Sequence, residues 1–176
     1  STVLKILASL ITATPGQIFF SNSNITTLKA ETYRQLVSYC FQTPQLFGLT
    51  VYENLALPWQ IRRQKPQRDK LVAALESVNL SPDMLDKPVE QLSGGEKQRV
   101  GLLRNLQFMP DVLLLDEVTS ALDEENRLAV LSLINRIAAE EKVAVVRISH
   151  DVSDIQKAGY VLRLEPPEKE NARESA

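Results

Sequence analysis

The stretch from Gln91 to Asn126, QLSGGEKQRVGLLRNLQFMPDVLLLDEVTSALDEEN, sets a Ser-Gly-Gly turn, a helical segment, an aliphatic run and two adjacent carboxylates in close succession. The run VLLLD at 112–116 has strand length and stays apolar until its last residue. Such a run reads as a strand buried on both faces, as in a parallel sheet covered by helices. Asp116 and Glu117 then stand at the tip of a buried strand. There one carboxylate can hold a cation through water while the other orients or deprotonates an attacking water. An ordinary acid pair opening the next helix would read the same way.

Upstream, LSGGEKQ at 92–98 marks a helix start. Ser93 is the expected N-cap, and Glu96 three residues on completes a capping box. The free amides around Ser93, Gly94 and Gly95, at the positive end of the helix dipole, also suit a phosphate oxygen. A cap and an anion site share one geometry, so both readings stand.

Outward from this stretch, ENRLAVLSLINRIAAEE predicts a long helix, VAVVRIS a strand, then a shorter helix and a last strand in YVLRLE. LVSYCF at 36–41 predicts a further strand running into Gln42. Strands alternating with helices define an α/β fold, a mainly parallel sheet flanked by helices. Sites in such sheets lie at the carboxyl ends of the strands, where Gln42, the pair Asp116 and Glu117, and His150 fall. His150 is the only histidine. It reads either as a structural side chain or as a sensor of a terminal phosphate.

TVLKILASL at 2–10 predicts an opening helix stopped by TPG, and QIFF and NIT flank a polar SNSN turn as in a hairpin. Between Thr43 and Gln91 the chain is polar, helical and interrupted by Pro44, Pro58, Pro66, Pro82 and Pro88. The expected division is a core of 1–42 with 92–165, an inserted helical subdomain at 43–91, and a disordered tail at 166–176, whose PPEKENARESA has little to bury. No internal repeat is visible.

With 176 residues and 44% hydrophobic side chains, one ordinary domain with a substantial core is expected. A net charge of −2 provides no whole-chain basic field for nucleic acid. Cys40 is the single cysteine, expected as a buried thiol in a reducing, cytosolic setting. No apolar run approaches the roughly 20 residues that span a bilayer. The basic run RRQKPQRDK at 62–70 reads as a solvated loop rather than a surface for lipid headgroups or nucleic acid. Trp59 and Phe47 read either as core or as a partner-facing pair.

Taken together, Gln42, LSGGE, VLLLDE, SALD and SH resemble the nucleotide-binding subunit of ATP-binding-cassette (ABC) transporters, a P-loop NTPase-like fold with a RecA-like core. The likeness covers the chain except its tail. It implies that Gln42 is the Q-loop glutamine, that Ser93, Gly94, Gly95 and Glu96 form the signature touching ATP held by a second copy, and that Asp123 closes the D-loop at the dimer seam. It further implies Asp116 as the Mg²⁺-holding aspartate, Glu117 as catalytic base and His150 as switch histidine. Ser1 and Thr2 fall where the family's phosphate loop ends, so Ser1, with Gln42 and Asp116, is an implied Mg²⁺ ligand and both are implied ATP contacts. The glycines and lysine of that loop would precede Ser1, and the 176 residues by themselves are expected to bind ATP poorly. The stretches SYCFQTPQLFGLTVYENLALPWQIR and LLRNLQFMPDVLLLDEVTSALDEEN resemble most the small Fet-type systems assigned to iron export. Glu96 stands where Gln is commoner in the family, and Leu103 where Ala is frequent.

The implied assembly is a homodimer on an integral-membrane permease, peripheral on the cytoplasmic face of the cell membrane. ATP and Mg²⁺ are the implied cofactors, and no nucleic acid is expected. The rivals are an ABC ATPase acting on nucleic acid or ribosomes, and an inert module serving dimerisation or docking.

Overall fold

A computed structural model describes residues 1–13, 16–149, 152–156 and 158–164. The elements in chain order are α1 (Thr2–Leu7), β1 (Phe19–Phe20), β2 (Ser23–Asn24), α2 (Ala30–Leu36), β3 (Val37–Cys40), α3 (Val51–Ile61), α4 (Arg68–Glu76), α5 (Gly94–Asn105), β4 (Val112–Asp116), α6 (Glu124–Glu140), β5 (Ala144–Ile148) and α7 (Val152–Gln156). Short 3₁₀ turns at Ile25–Thr27, Pro82–Asp86 and Val89–Gln91 link them.

The sheet is parallel in the order β3-β4-β5, with Cys40 opposite Leu115 and Asp116 opposite Ile148. Side chains alternate across a strand, so β4 feeds two cores. Leu113 and Leu115 face a cluster built by α3, α4 and α5, including Leu55, Leu71, Leu75 and Leu103. Leu114 faces a smaller cluster with Leu4, Tyr33, Val37 and Tyr39. This two-sided burial is why VLLLD carries no polar residue before its tip. Asp116 reaches that tip 3% exposed.

Two expectations are corrected. The opening helix ends at Leu7, because Ser9 takes a left-handed φ of 54° and the chain folds back. The Leu10 amide donates to the Lys5 carbonyl and the Ser9 amide to that of Ile6, both at 2.9 Å, a full Schellman cap. Thr14 and Pro15, the first two residues of the predicted TPG stop, lie outside the described residues. The predicted strand at YVLRLE does not form over 160–164. Tyr160 and Leu162 instead line the far wall of a cleft of about 940 Å³ facing α1 and β5, and a strand needs a ladder partner.

The predicted hairpin forms around Ser21 and Asn22, whose φ of 46° and 65° make the mirror-image turn that matches strand twist. The tail at 166–176 lies outside the described residues.

Between residues 43 and 91, Asn54 ties the chain after Gln42 to α3. Its amide nitrogen donates to the Phe47 carbonyl at 2.6 Å and its oxygen accepts from the Phe47 amide at 2.7 Å. Arg104 reaches the same loop through the Gln45 carbonyl at 2.9 Å. The basic run is partnered piecemeal: Arg62 lies over Phe108 at 4.2 Å and Arg68 pairs with Asp86 at 2.5 Å. Trp59 is core, 6% exposed and donating to Gln107 at 3.1 Å, whereas Phe47 is 52% exposed.

Candidate active site at the carboxyl ends of the strands

Three parallel strands deliver their ends to one edge. Asp116 is held from two sides there: the Ser1 hydroxyl donates to Oδ1 at 3.0 Å and the Tyr39 phenol donates to Oδ2 at 2.6 Å. Burial alone would raise the carboxyl's pKa. The hydrogen bonds from Tyr39 and Ser1, with the positive charge of Lys5, outweigh it and hold Asp116 below its ordinary 3.8. Desolvation and the neighbouring carboxylate push the Tyr39 phenol well above its usual range, so it remains a donor.

Glu117 is treated differently. Its backbone adopts a φ of 51°, a left-handed conformation unusual for a glutamate. The Ser120 amide and hydroxyl pin its carbonyl at 3.1 and 2.9 Å. Its half-buried side chain accepts from Gln42 Nε2 at 2.8 Å. The turn thus swings Glu117 away from the buried position of Asp116 and toward the exposed Gln42. Two neighbouring acids acquire two environments, one fixed and dry, one reachable.

His150 and Asp151 lie outside the described residues. The strand leading to them ends at Ile148 opposite Asp116. Next to that end, Asp154 of α7 is 3% exposed and accepts from the Ser149 hydroxyl at 3.1 Å and from Arg127 at 3.2 Å. Arg147 donates to its backbone carbonyl at 2.9 Å. Asp154, Ser149 and Arg127 with Glu117, Thr119 and Ser120 border a cavity of about 230 Å³.

The Ser93–Glu96 segment closes on itself. The Glu96 amide donates to Ser93 Oγ at 3.2 Å and the Ser93 amide to Glu96 Oε2 at 2.7 Å, completing the capping box. Lys87 adds an ion pair at 3.4 Å. Burial opposes ionisation of Glu96, but the Ser93 amide and Lys87 prevail and hold it below its ordinary 4.5. A Cβ on Gly94 would meet nothing within 4 Å, whereas one on Gly95 would come within 3.2 Å of Leu122. The exposed turn therefore lies against the 120–123 segment. Asp123 caps α6, accepting from the Asn126 amide at 2.9 Å and from its side chain at 2.7 Å.

Sequence reasoning placed Ser1, Gln42, Asp116 and Glu117, and the fold brings them together. Thr2 opens α1 and is exposed. Ser93, Gly94 and Gly95 are joined to the site only through the 120–123 segment. Tyr39 and Asp154 were missed. Tyr39 falls inside the predicted strand LVSYCF and Asp154 inside the predicted shorter helix, and neither was given a role. A phenol inside a buried strand was the available signal, since a buried Tyr hydroxyl needs a partner.

The donor set fits magnesium. A carboxylate, a hydroxyl and an amide are hard oxygen ligands, and this ion is commonly held by one or two carboxylates together with substrate phosphates. Among the described residues no cluster of three His, Cys, Asp or Glu forms a cage for a different metal.

A parallel sheet with a paired-acid strand tip and a serine-capped Gly-Gly helix start fits a nucleotide-hydrolysing cassette. The ABC transporter family profile matches residues 1–120, and the chain belongs to that family of ATP-binding ATPases. It is 52% identical over 166 residues to the "Probable iron export ATP-binding protein FetA" of Escherichia coli strain K12, covering 94% of this chain and 74% of that protein. It is 37% identical to the "Methionine import ATP-binding protein MetN" of Cutibacterium acnes, covering 89% of this chain and 44% of that one. An ATP-binding cassette solved as a dimer in a post-hydrolysis state bound to ADP and Pi superposes with a TM-score of 0.77, at 26% identity, over 86% of this chain and 70% of that one.

Proposed function

We propose that this chain is the ATP-hydrolysing part of a transporter that exports a metal, iron by the likeness to FetA, through a separate membrane permease. The observation that carries the reading is the division of labour between Asp116, buried and doubly hydrogen-bonded, and Glu117, turned outward onto Gln42. Residues 1–42 with 92–165 form the ATPase core and 43–91 the helical subdomain.

Asp116, with Ser1 and Gln42, would hold Mg²⁺, and the ion would neutralise phosphate charge. Glu117 orients and polarises the attacking water from its left-handed turn, while Gln42 keeps that carboxylate in place. Ser1 and Thr2 contact the phosphates of the copy's own ATP, and His150 steadies the charge that develops on them. Gly94 and Gly95 offer their amides, and Ser93 its hydroxyl, at the start of α5, placed by Glu96 and by the 120–123 segment with Asp123. The ATP they meet is held by a second copy, so two sites are completed head to tail.

A groove of about 550 Å³ between α2, α3 and the end of α5 supports a membrane partner. Pro58, Ile61 and Phe108 line it, with Arg34, Arg62 and Arg104, none of which has a carboxylate ion-pair partner among the described residues. A short acidic helix of the permease suits it. By its likeness to transporter ATP-binding subunits, the chain works peripherally at the inner face of the membrane; no helix among the described residues is long and apolar enough to cross one.

Glu117→Gln in the full-length protein tests the reading. Expected are ATP-dependent dimers by light scattering and a turnover lowered about 10²–10⁴-fold, the usual contribution of a general base. Turnover equal to that of the parent overturns it.

A further inference from the structure

We propose that Tyr39 is a positioning residue for the cation site: its phenol locks Asp116 so that Oδ1, on the Ser1 side, is the oxygen offered to Mg²⁺ or its water. The inference rests on the reading above and deepens it. In the parallel register Tyr39 pairs with Leu114, and residues two apart on a strand share a face, so Tyr39, Leu114 and Asp116 lie on one side of the sheet. The ring stands beside Leu114 and its hydroxyl reaches the next carboxylate up the strand. At 2.6 Å the contact has the length of a charge-assisted O–H···O⁻ bond. The ring is fixed edge-on against Phe41, centroids 4.6 Å apart at 82°.

Packing alone does not require the hydroxyl, since a phenylalanine fills the same space in the apolar cluster. The phenol is the only described donor on Oδ2, and it comes from the interior side of a carboxylate whose side chain is 4% exposed. Oδ1 faces the Ser1 side chain, which is 42% exposed. The phenol's bond to Oδ2 restrains rotation of the carboxylate and so favours one direction for Oδ1. Groups that orient a metal ligand in this way typically account for about 10–100-fold in metal affinity or activity.

Tyr39→Phe in the full-length protein tests this, with Tyr33→Phe as the matched control. Tyr33 belongs to the same cluster and its phenol donates to the Leu7 carbonyl at 2.6 Å, so losing it removes a comparable buried bond without touching Asp116. Mn²⁺ binding to the ADP-loaded protein, read by electron paramagnetic resonance without turnover, should weaken at least about 10-fold in Tyr39→Phe. The Mg²⁺ concentration for half-maximal ATPase should rise in parallel, with the KM for ATP at saturating Mg²⁺ unchanged. Tyr33→Phe should leave Mn²⁺ affinity at the parent value. Unchanged Mn²⁺ affinity in Tyr39→Phe, or an equal loss in both variants, overturns the positioning role while leaving the ATPase reading intact. A parent protein that binds no Mn²⁺ with ADP removes both.

Discussion

The strand tip and the start of α5 both present polar groups at the end of a regular element, yet they find partners at opposite ranges. Asp116 draws Ser1 from 115 positions away and Tyr39 from 77, and Glu117 draws Gln42 from 75. Ser93 and Glu96 satisfy each other across three positions, and Lys87 joins from nine. The tip therefore exists only when the sheet is assembled, whereas the helix start carries its own geometry. A head-to-tail ATPase needs that contrast. In the assembly proposed above, each copy would build its hydrolytic centre from its whole fold and present a compact, self-capped turn to the other.

The comparison breaks most readily at the strand that delivers the tip. Leu115 is 1% exposed and sits directly before Asp116 in the larger cluster. Leu115→Ala should destabilise the protein by about 2–5 kcal/mol, the usual result of opening a cavity in a packed core. Gln42, Tyr39 and Asp116 should lose their mutual order with it, so activity at a temperature below the melting point should fall further than the folded fraction. Urea denaturation beside ATPase assay checks this. Activity that tracks the folded fraction would show that the tip is as self-contained as the helix start.

A smaller effect sharpens the same contrast. Ser93→Ala removes a cap and should cost about 1 kcal/mol. Combined with Glu96→Ala it should be non-additive by about 0.5 kcal/mol or more, because the two share hydrogen bonds. Combined with Tyr39→Phe it should be additive within about 0.5 kcal/mol, since Tyr39 and Ser93 have no partner in common. Coupling between Ser93 and Tyr39 in a double-mutant cycle would mean that the two regions communicate in a single copy.

The same difference in range explains what could be read before the fold was known. The capping box at Ser93 and Glu96 is local, so its spacing alone predicts it. Asp116 and Glu117 were legible because a strand tip ends an aliphatic run. The left-handed turn at Glu117 was not, since it is imposed by Ser120 and by packing around the loop. Tyr39 was hidden because strand register, not sequence spacing, sets it beside Leu114 and Asp116. Cys40 was read correctly as a buried thiol: desolvation, only partly offset by Asn105 and Arg104, pushes it up to about 12. YVLRLE shows the converse failure, a strand-like run for which the described fold provides no ladder.

The smallest expected effect concerns Glu96, and its sign follows from its partners. Burial disfavours its charge, yet the Ser93 amide and Lys87 keep its folded pKa below 4.5. A carboxylate with a depressed folded pKa contributes stability above its unfolded value and loses it as pH falls through the folded one. The contribution of Glu96 is thus fully present at neutral pH and should disappear on acidification below about pH 4.5. Glu96→Gln retains an oxygen to accept from the Ser93 amide, so the cap survives while the titrating charge is gone. Urea midpoints measured from roughly pH 6 to pH 3 should fall less steeply in Glu96→Gln than in the parent, with a modest deficit near neutrality from the lost Lys87 pair. Lys87→Met should steepen nothing and recover part of the same flattening, because it removes one of the charges that hold Glu96 ionised. Parallel curves for parent and Glu96→Gln would place the control of Glu96 outside its three-residue neighbourhood, and the helix start would then depend on the assembled fold as the strand tip does.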